Sequence, residues 1–376
     1  MAIFDLTEAE LRKRSSMKWQ TYPPDVLPLW VAEMDVAVHP AISAALLAAV
    51  ENGDTGYPVG RRYAEAFRGF AKRRWGWEVA DTQVRQSGDV MNSMLGTLQT
   101  VTEPGDGVVI NPPIYPPFRT IVERYQRQLV EVALTDTGRL DLPGIEAALA
   151  GPAKPKAYLL CSPHNPNGTV HTAAELSTLL QLCAEHDVTL IVDEIHAPIV
   201  AAGTVFTPIL SLPGSERAIS VTSAGKAWNL ACFKGGLIVG GTQTGDILAR
   251  LPALLLQSMG HIAAITHAAA MNSAADWVDE YLLEVQANKE LLASLLREQV
   301  PAARYTPSTG CYFGWVDCSG LGLANPARHF LDQGRVAFND GATFGAQYGQ
   351  WVRINLATSP RIITEAVSRM AAALSE

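Results

Sequence analysis

A chain of 376 residues, 48% hydrophobic and 18% charged, has room for about two to three domains with buried cores, which excludes a minimal stapled scaffold and a disordered polypeptide. Its 29 Lys and Arg against 37 Asp and Glu leave a formal charge of −8, which excludes a general grip on a nucleic-acid backbone. One small anion held by local amides and a few cations remains compatible with that charge. The five cysteines, Cys161, Cys183, Cys232, Cys311 and Cys318, form no CxxC pair and have no histidine at zinc-ligand spacing, so neither a disulfide framework nor a metal site is expected.

In chain order, MAIFDLTEAELRKR lacks an apolar signal core, and the first 45 residues have too little core of their own, so their PLWVAEMDV segment is predicted as a strand packing on a larger body. QSGDVMNSM, 86–94, places a glycine and small-to-medium residues at a helix start, where free backbone amides and the helix dipole favour a phosphate. Asp89 suits that role only if its carboxylate caps the helix and points away. The runs GVVI (107–110), AYLLC (157–161), VTLIV (188–192), AISVT (218–222) and GLIVG (236–240) read as strands buried on both faces. Helical patterns lie between them, clearest in 173–186, where Leu176, Leu179, Leu180 and Cys183 recur at helical spacing. The alternation predicts a layered α/β fold, a mostly parallel sheet covered by helices, with functional residues at the C-terminal ends of the strands.

Three of those strand ends carry chemistry. CSPHNPNGTV, 161–170, follows AYLLC and offers the Asn165 amide as a donor, although Asn-Pro and Asn-Gly are turn formers whatever the function. IVDEIH, 191–196, ends a buried strand in Asp193, a carboxylate that needs a partner: a protonated pyridine nitrogen, a helix N-cap, or a metal shared with Glu194 and His196. TSAGKAWN, 222–229, sets Lys226 among small residues just after a strand, where burial lowers an amine's pKa and frees it for Schiff-base chemistry, the alternative being a solvated loop lysine. Ser223 offers a hydroxyl to an anion in the same loop. Beyond it, the membrane-like stretch 248–271 is interrupted by Arg250, Gln257, His261 and His267, so a soluble cytoplasmic protein with no membrane partner is expected. Residues 260–300 are helical in pattern, and GCYFGWVDC, RVAFND and QWVRINLA then supply alternating strands of a smaller α+β lobe. Arg353 in the last of these is either an ordinary strand-edge arginine or a fork for a carboxylate.

Taken together, PLWVAEMDV, GYPVG, PPIYPPF, LLCSPHNPNGTV, IVDEIHAPIV, TSAGKAWN and RVAFNDGATFG resemble, in order, the fold-type I pyridoxal-phosphate enzymes of the aspartate aminotransferase superfamily. Within it the chain looks most like the bacterial cystathionine β-lyase (C–S lyase) group, over about residues 15 to 360. The resemblance implies a seven-stranded-type, mostly parallel sheet sandwiched by helices in a large domain, 46–265, and a small domain from both chain ends, 1–45 and 266–376. It implies pyridoxal 5'-phosphate as cofactor, with Lys226 as Schiff-base lysine and proton shuttle, Asp193 on the pyridine nitrogen and Asn165 with His196 at the phenolic oxygen. Tyr115 is implied to stack on the ring, while Gly88, Asp89, Val90, Ser223 and Lys234 surround the phosphate. Arg353 is implied to grip the substrate α-carboxylate, and Tyr57 to reach the neighbouring active site of a homodimer, touching its phosphate or aiding catalysis. The implied reaction is α,β-elimination of L-cystathionine or related cysteine S-conjugates to pyruvate, ammonia and a thiol, a step of sulfur amino-acid metabolism. An aminotransferase using the same lysine and a regulatory protein retaining the fold are the alternatives.

Overall fold

A computed structural model describes residues 2–375. The five apolar runs and two more polar segments form seven strands: β1 (Val84–Ser87), β2 (Gly107–Ile110), β3 (Gln128–Glu131), β4 (Ala157–Cys161), β5 (Thr189–Asp193), β6 (Ile219–Thr222) and β7 (Gly236–Gly240). Their spatial order is β1-β7-β6-β5-β4-β2-β3, and β7 alone runs against its neighbours, antiparallel to both β1 and β6. Alternate residues of one strand feed two cores: Leu159 and Cys161 of β4 join one cluster, Tyr158 and Leu160 the other. Burial on both faces is why the five inner strands read as continuous apolar runs, whereas the edge strands β1 (VRQS) and β3 (QLVE) do not.

Helices supply the covering layers. The helix α1 (Arg62–Trp75) lies before the sheet; α2 (Val90–Val101) packs Val90, Met94 and Leu98 onto the first core. On the other face α3 (Ala173–Glu185) packs Leu176, Leu179 and Cys183, its start fixed by a capping box between Thr172 and Glu175. Downstream, α4 (His261–Ser273) and α5 (Ala275–Gln299) form the helical stretch, and α6 (Pro360–Ala373) ends the fold. A second, antiparallel sheet has the order β9-β10-β8, with β8 (Phe313–Asp317), β9 (Asn339–Asp340) and β10 (Trp351–Asn355). Its core unites Leu11, Trp19 and Leu29 from the start of the chain with Val316, Ile354 and Met370 near the end.

Two segments depart from the sequence reading. RVAFND is split between ladders: Val336–Ala337 pairs parallel with Leu27–Pro28, whereas Asn339–Asp340 pairs with β10. The buried ring of Phe338 lies between the two pairings. Of PLWVAEMDV, only its first residue, Pro28, is strand, as the end of Leu27–Pro28, and Leu29 to Val36 runs on as a strap without strand pairing. Side-chain amides replace a ladder there: Asn355 Nδ2 donates to the carbonyls of Val31 (2.7 Å) and Glu33 (2.6 Å). Asn229 accepts from the Met34 N–H at 2.9 Å and donates to its carbonyl at 3.0 Å. Beneath the strap Lys18 Nζ meets Asp35 Oδ2 at 2.6 Å, with side-chain exposures of 0% and 1%, and Trp19 Nε1 donates to Asp35 Oδ1 at 2.9 Å. The stretch 248–271 is divided between short helices and α4, and among the described residues no helix is long and apolar enough to cross a membrane.

Candidate active site

The pairing register brings the chemistry to one edge of the large sheet. Cys161, Asp193 and Val221 are lateral partners, and Ser87 lies opposite Gly236. The segments that follow β4, β5, β6 and β1 therefore emerge together, the edge where sheets of this kind hold ligands. They enclose a cavity of about 510 Å³, whose wall also includes Trp30, Val31 and Ala32 of the strap and Arg353 of β10. Lys226, Asp193, Asn165, His196 and Tyr115 line it. Asp89, Val90, Ser223 and Lys234 line its other side, at the start of α2 and before β7.

Lys226 and Asp193 share this cavity without bonding each other. Lys226 Nζ donates to the Ala32 carbonyl at 3.0 Å, and Asp193 Oδ1 accepts from the Ile195 N–H at 3.0 Å. Burial, then the nearby Arg353 charge, pushes the Lys226 pKa down to about 8 against the pull of Asp193. Burial pushes Asp193 up to about 7, opposed by the Ile195 N–H and by Lys226. A carboxylate with so little internal compensation gains from a cationic N–H brought in by a ligand. Its neighbour Glu194 is already satisfied, by Ser220 Oγ at 2.5 Å and the Ile209 N–H at 2.8 Å. Glu194 is therefore committed to its own pocket, and the Asp193, Glu194, His196 run does not converge as a ligand set.

Asn165 is oriented by Arg353, whose Nη1 donates to Asn165 Oδ1 at 3.0 Å. A guanidinium only donates, so the Asn165 oxygen is the accepting end and its NH₂ remains a donor for the cavity, the polarity a phenolate oxygen requires. The turn that carries Asn165 depends on Gly168 at φ +72°, where a Cβ would run into the Ser308 side chain and the Gly310 carbonyl. His196 is buried edge-on to Phe313 (5.6 Å) and Tyr312 (6.1 Å), and its Nδ1 has no partner. Burial, then Lys226 and Arg353, holds its pKa well below the usual histidine range, so it stays a neutral ring. Burial likewise raises the Tyr115 hydroxyl.

Arg353 has no carboxylate partner among the described residues. Its Nη2 donates to the Trp30 carbonyl at 3.0 Å, its Nε is buried without a partner, and its guanidinium lies 4.4 Å from the Phe313 ring and 5.1 Å from that of Phe344. Burial lowers its pKa to about 10. An anionic ligand group is the missing counterpart.

At the start of α2, Asp89 caps the helix, accepting from the Asn92 N–H and Nδ2 at 2.8 Å each, with Lys234 Nζ 3.5 Å away. Its carboxylate is thus committed to the cap and to Lys234, and the leading amides of Val90 and Met91 belong to residues that line the cavity. β7 passes so close that a Cβ on Gly236 would stand 2.9 Å from the Asp89 carbonyl carbon. Two expected phosphate contacts are otherwise engaged. The Gly88 N–H donates to Ser258 Oγ at 2.8 Å and Gly88 is not part of the wall; Ser223 Oγ donates to the Gly235 carbonyl at 2.6 Å and accepts from the Gly225 N–H at 3.0 Å. Tyr57 is 98% exposed and outside the cavity, so a single chain does not bring it to the site. Sequence reasoning missed Trp30, Asn229 and Asn355, which hold or form the strap. The signal available was a tryptophan inside an apolar run and an asparagine shortly after each of the two site cations.

The donor set fits pyridoxal phosphate: a buried carboxylate short of partners, an amide and a neutral imidazole, a poised amine, and a helix N-terminus beside Lys234. The sequence profile of "Aminotransferase class I and II" matches residues 78–370. A Mycobacterium leprae protein provisionally named a cystathionine beta-lyase is 43% identical over 98% of this chain and 97% of its own. The cystathionine beta-lyase of Corynebacterium glutamicum is 32% identical over 97% of this chain and 98% of its own. Among solved structures, a Corynebacterium diphtheriae protein provisionally described as a PLP-dependent beta-cystathionase superposes with a TM-score of 0.94 at 30% identity, over 100% of this chain and 99% of that one.

Proposed function

The chain belongs to the aminotransferase class I and II family, and from that premise we propose that it is a pyridoxal-phosphate-dependent carbon–sulfur β-lyase of the cystathionine β-lyase type. The observation that carries this reading is one cavity holding Lys226, Asp193 and Arg353 in a chain similar along its whole length to cystathionine β-lyases. The substrate is L-cystathionine or a related cysteine S-conjugate.

When bound, the cofactor supplies an electron sink for the pair left behind as the Cα–H bond breaks. Asp193 would hold the proton of the cofactor's ring nitrogen, Asn165 and His196 would donate to its phenolic oxygen, and Tyr115 would pack on its ring. The Val90 backbone N–H at the start of α2 would donate to its phosphate and Lys234 would offset its charge, with Gly88, Asp89 and Ser223 as the framework that positions them. Arg353 takes the substrate's α-carboxylate as a fork and so fixes which Cα bond faces Lys226. The Lys226 amine, held near pKa 8, accepts the α-proton and is then the nearest acid for the departing thiolate. The Cβ–S bond breaks, and water finally releases pyruvate and ammonia. The active unit is a homodimer, in which Tyr57 and the nearby, also exposed Val59 meet the second copy and Tyr57 reaches its site as a phosphate contact or auxiliary acid.

Release of pyruvate and ammonia from L-cystathionine, with no oxo acid present, tests the reading. Turnover that appears only after a 2-oxo acid is added would instead make the chain an aminotransferase, which uses the same lysine, aspartate and arginine.

A further inference from the structure

One polar side chain of the cavity wall is left without a task. On the large-sheet side, the polar groups that open on the cavity are bonded within the chain or assigned to the cofactor or to proton transfer. Across from them, β10 supplies Arg353 for the α-carboxylate, and β9 supplies Asn339. The neighbouring Asp340 accepts from Asn325 Nδ2 at 3.0 Å and from the Ala342 N–H at 2.9 Å, whereas the Asn339 amide makes no hydrogen bond among the described residues. Nor is that amide sealed in: the residue is half-buried, and neither amide atom belongs to the buried, unpartnered ones.

The ladder register fixes which way the amide faces. Asn339 stands directly opposite Arg353 in the antiparallel pair, and residues so paired share a face of the sheet. Phe338, Val352 and Ile354, one step along either strand, turn the other way into the core beneath the sheet. Asn339 and Arg353 therefore both face the cavity, but at different depths. The Arg353 guanidinium stands several bonds from its backbone, in a residue only 2% exposed, and ends at Asn165 and the Trp30 carbonyl. The shorter amide stops beside the arginine's stem, on the solvent side of the anion site. Met17, 64% exposed, belongs to the same outer wall.

A substrate held with its α-carboxylate on Arg353 and its Cα toward Lys226 extends its sulfur substituent toward this open side. An amide both donates and accepts, so it bonds either a carboxylate or an ammonium at the far end of that substituent. We propose that Asn339 is a specificity residue of the leaving-group side, whose amide binds the polar end of the departing thiol. It favours cysteine S-conjugates with an amino-acid-like leaving group over those with a plain alkyl thiol. This role rests on the substrate class proposed above, though not on the fate of the C–S bond.

The test compares L-cystathionine with S-ethyl-L-cysteine, which has the same amino-acid head and thioether but no polar end. Both are titrated into the N339A holoenzyme and read by stopped-flow absorbance before turnover. Loss of one hydrogen bond to a charged group at a half-exposed site should weaken cystathionine binding by about 3-fold to 10-fold. S-ethyl-L-cysteine affinity and the visible band of the bound cofactor should hold, and N339Q, which keeps the amide, should recover part of the cystathionine affinity. Unchanged cystathionine affinity in N339A overturns the proposal. Equal weakening of both ligands also overturns it, by placing the amide at the α-carboxylate or in support of Arg353. Pyruvate release is scored separately: its absence with the affinity difference intact would sink the lyase reading and leave the role of Asn339 standing.

Discussion

The molecule contains two buried pairings of lysine with aspartate, and they are built in opposite ways. Under the strap, Lys18 and Asp35 are in direct contact at 2.6 Å, and Trp19 and the Glu33 carbonyl absorb most of what remains. In the cavity, Lys226 and Asp193 are each given one backbone partner and kept from each other. The first pair is closed and has nothing left to offer a ligand. The second is withheld, so burial, only partly opposed by their mutual attraction, moves Lys226 down to about 8 and Asp193 up to about 7. A buried charge becomes available for chemistry when the fold denies it a protein counter-ion.

The sharpest way to break that contrast is to remove each lysine. K226A should lower pyruvate release by at least about 10³-fold and abolish the visible band of the lysine-bound cofactor, without lowering the melting temperature of the cofactor-free protein, since burial of that amine is itself a cost. K18M should do the reverse in kind: it leaves Asp35 buried and uncompensated and should cost about 3–5 kcal/mol in urea unfolding, most of it recovered in a K18M/D35L double variant. If K18M were silent, the closed pair would not be the strap's anchor. Smaller effects separate the adjacent carboxylates. D193N should reduce turnover by about 10²-fold, whereas E194Q, already bonded to Ser220 and Ile209 and raised by burial to about 7, should cost under about 1 kcal/mol and leave turnover intact.

A last test uses a third buried lysine, Lys289, which donates to the carbonyls of Ser308 (2.8 Å) and Gly310 (3.1 Å) and is pushed by burial down to about 8. A lysine lowered from 10.5 on folding means that the unfolded chain binds more protons between about pH 8 and 10.5. Stability of the cofactor-free protein should therefore rise across that window, as seen by urea unfolding at successive pH values. K289M should flatten the slope and leave the contribution of Lys226.

The large sheet was legible in its five inner strands, which are buried on both faces, whereas the more polar edge strands β1 and β3 gave no continuous apolar run. Its chemistry follows strand ends, so position along the chain and position in space agree. Lys226, Asp193 and Asn165 are of this kind. The strap was not legible as a strap. Its apolar residues imitate a strand, while the groups that hold it, Asn229 and Asn355, lie far away in sequence and have no periodicity to betray them. The split of RVAFND escaped for a similar reason, since the two-residue ladders it serves have different partners. Gly88 looked like a phosphate contact because a glycine before a helix usually frees its amide; only Ser258, remote in sequence, shows that this one is taken.

Asn229 sits at φ +55°, a left-handed conformation that asparagine tolerates better than most residues, and from it reaches back to Met34. That clasp spans 195 residues and the one from Asn355 to Val31 spans 324. Loop-closure entropy of such span is recovered only when nearly everything between is in place. The cavity wall is therefore assembled at the end of folding. Catalytic competence then reports on the whole chain, and a nascent or partly folded molecule holds its reactive lysine without a finished pocket to use it in.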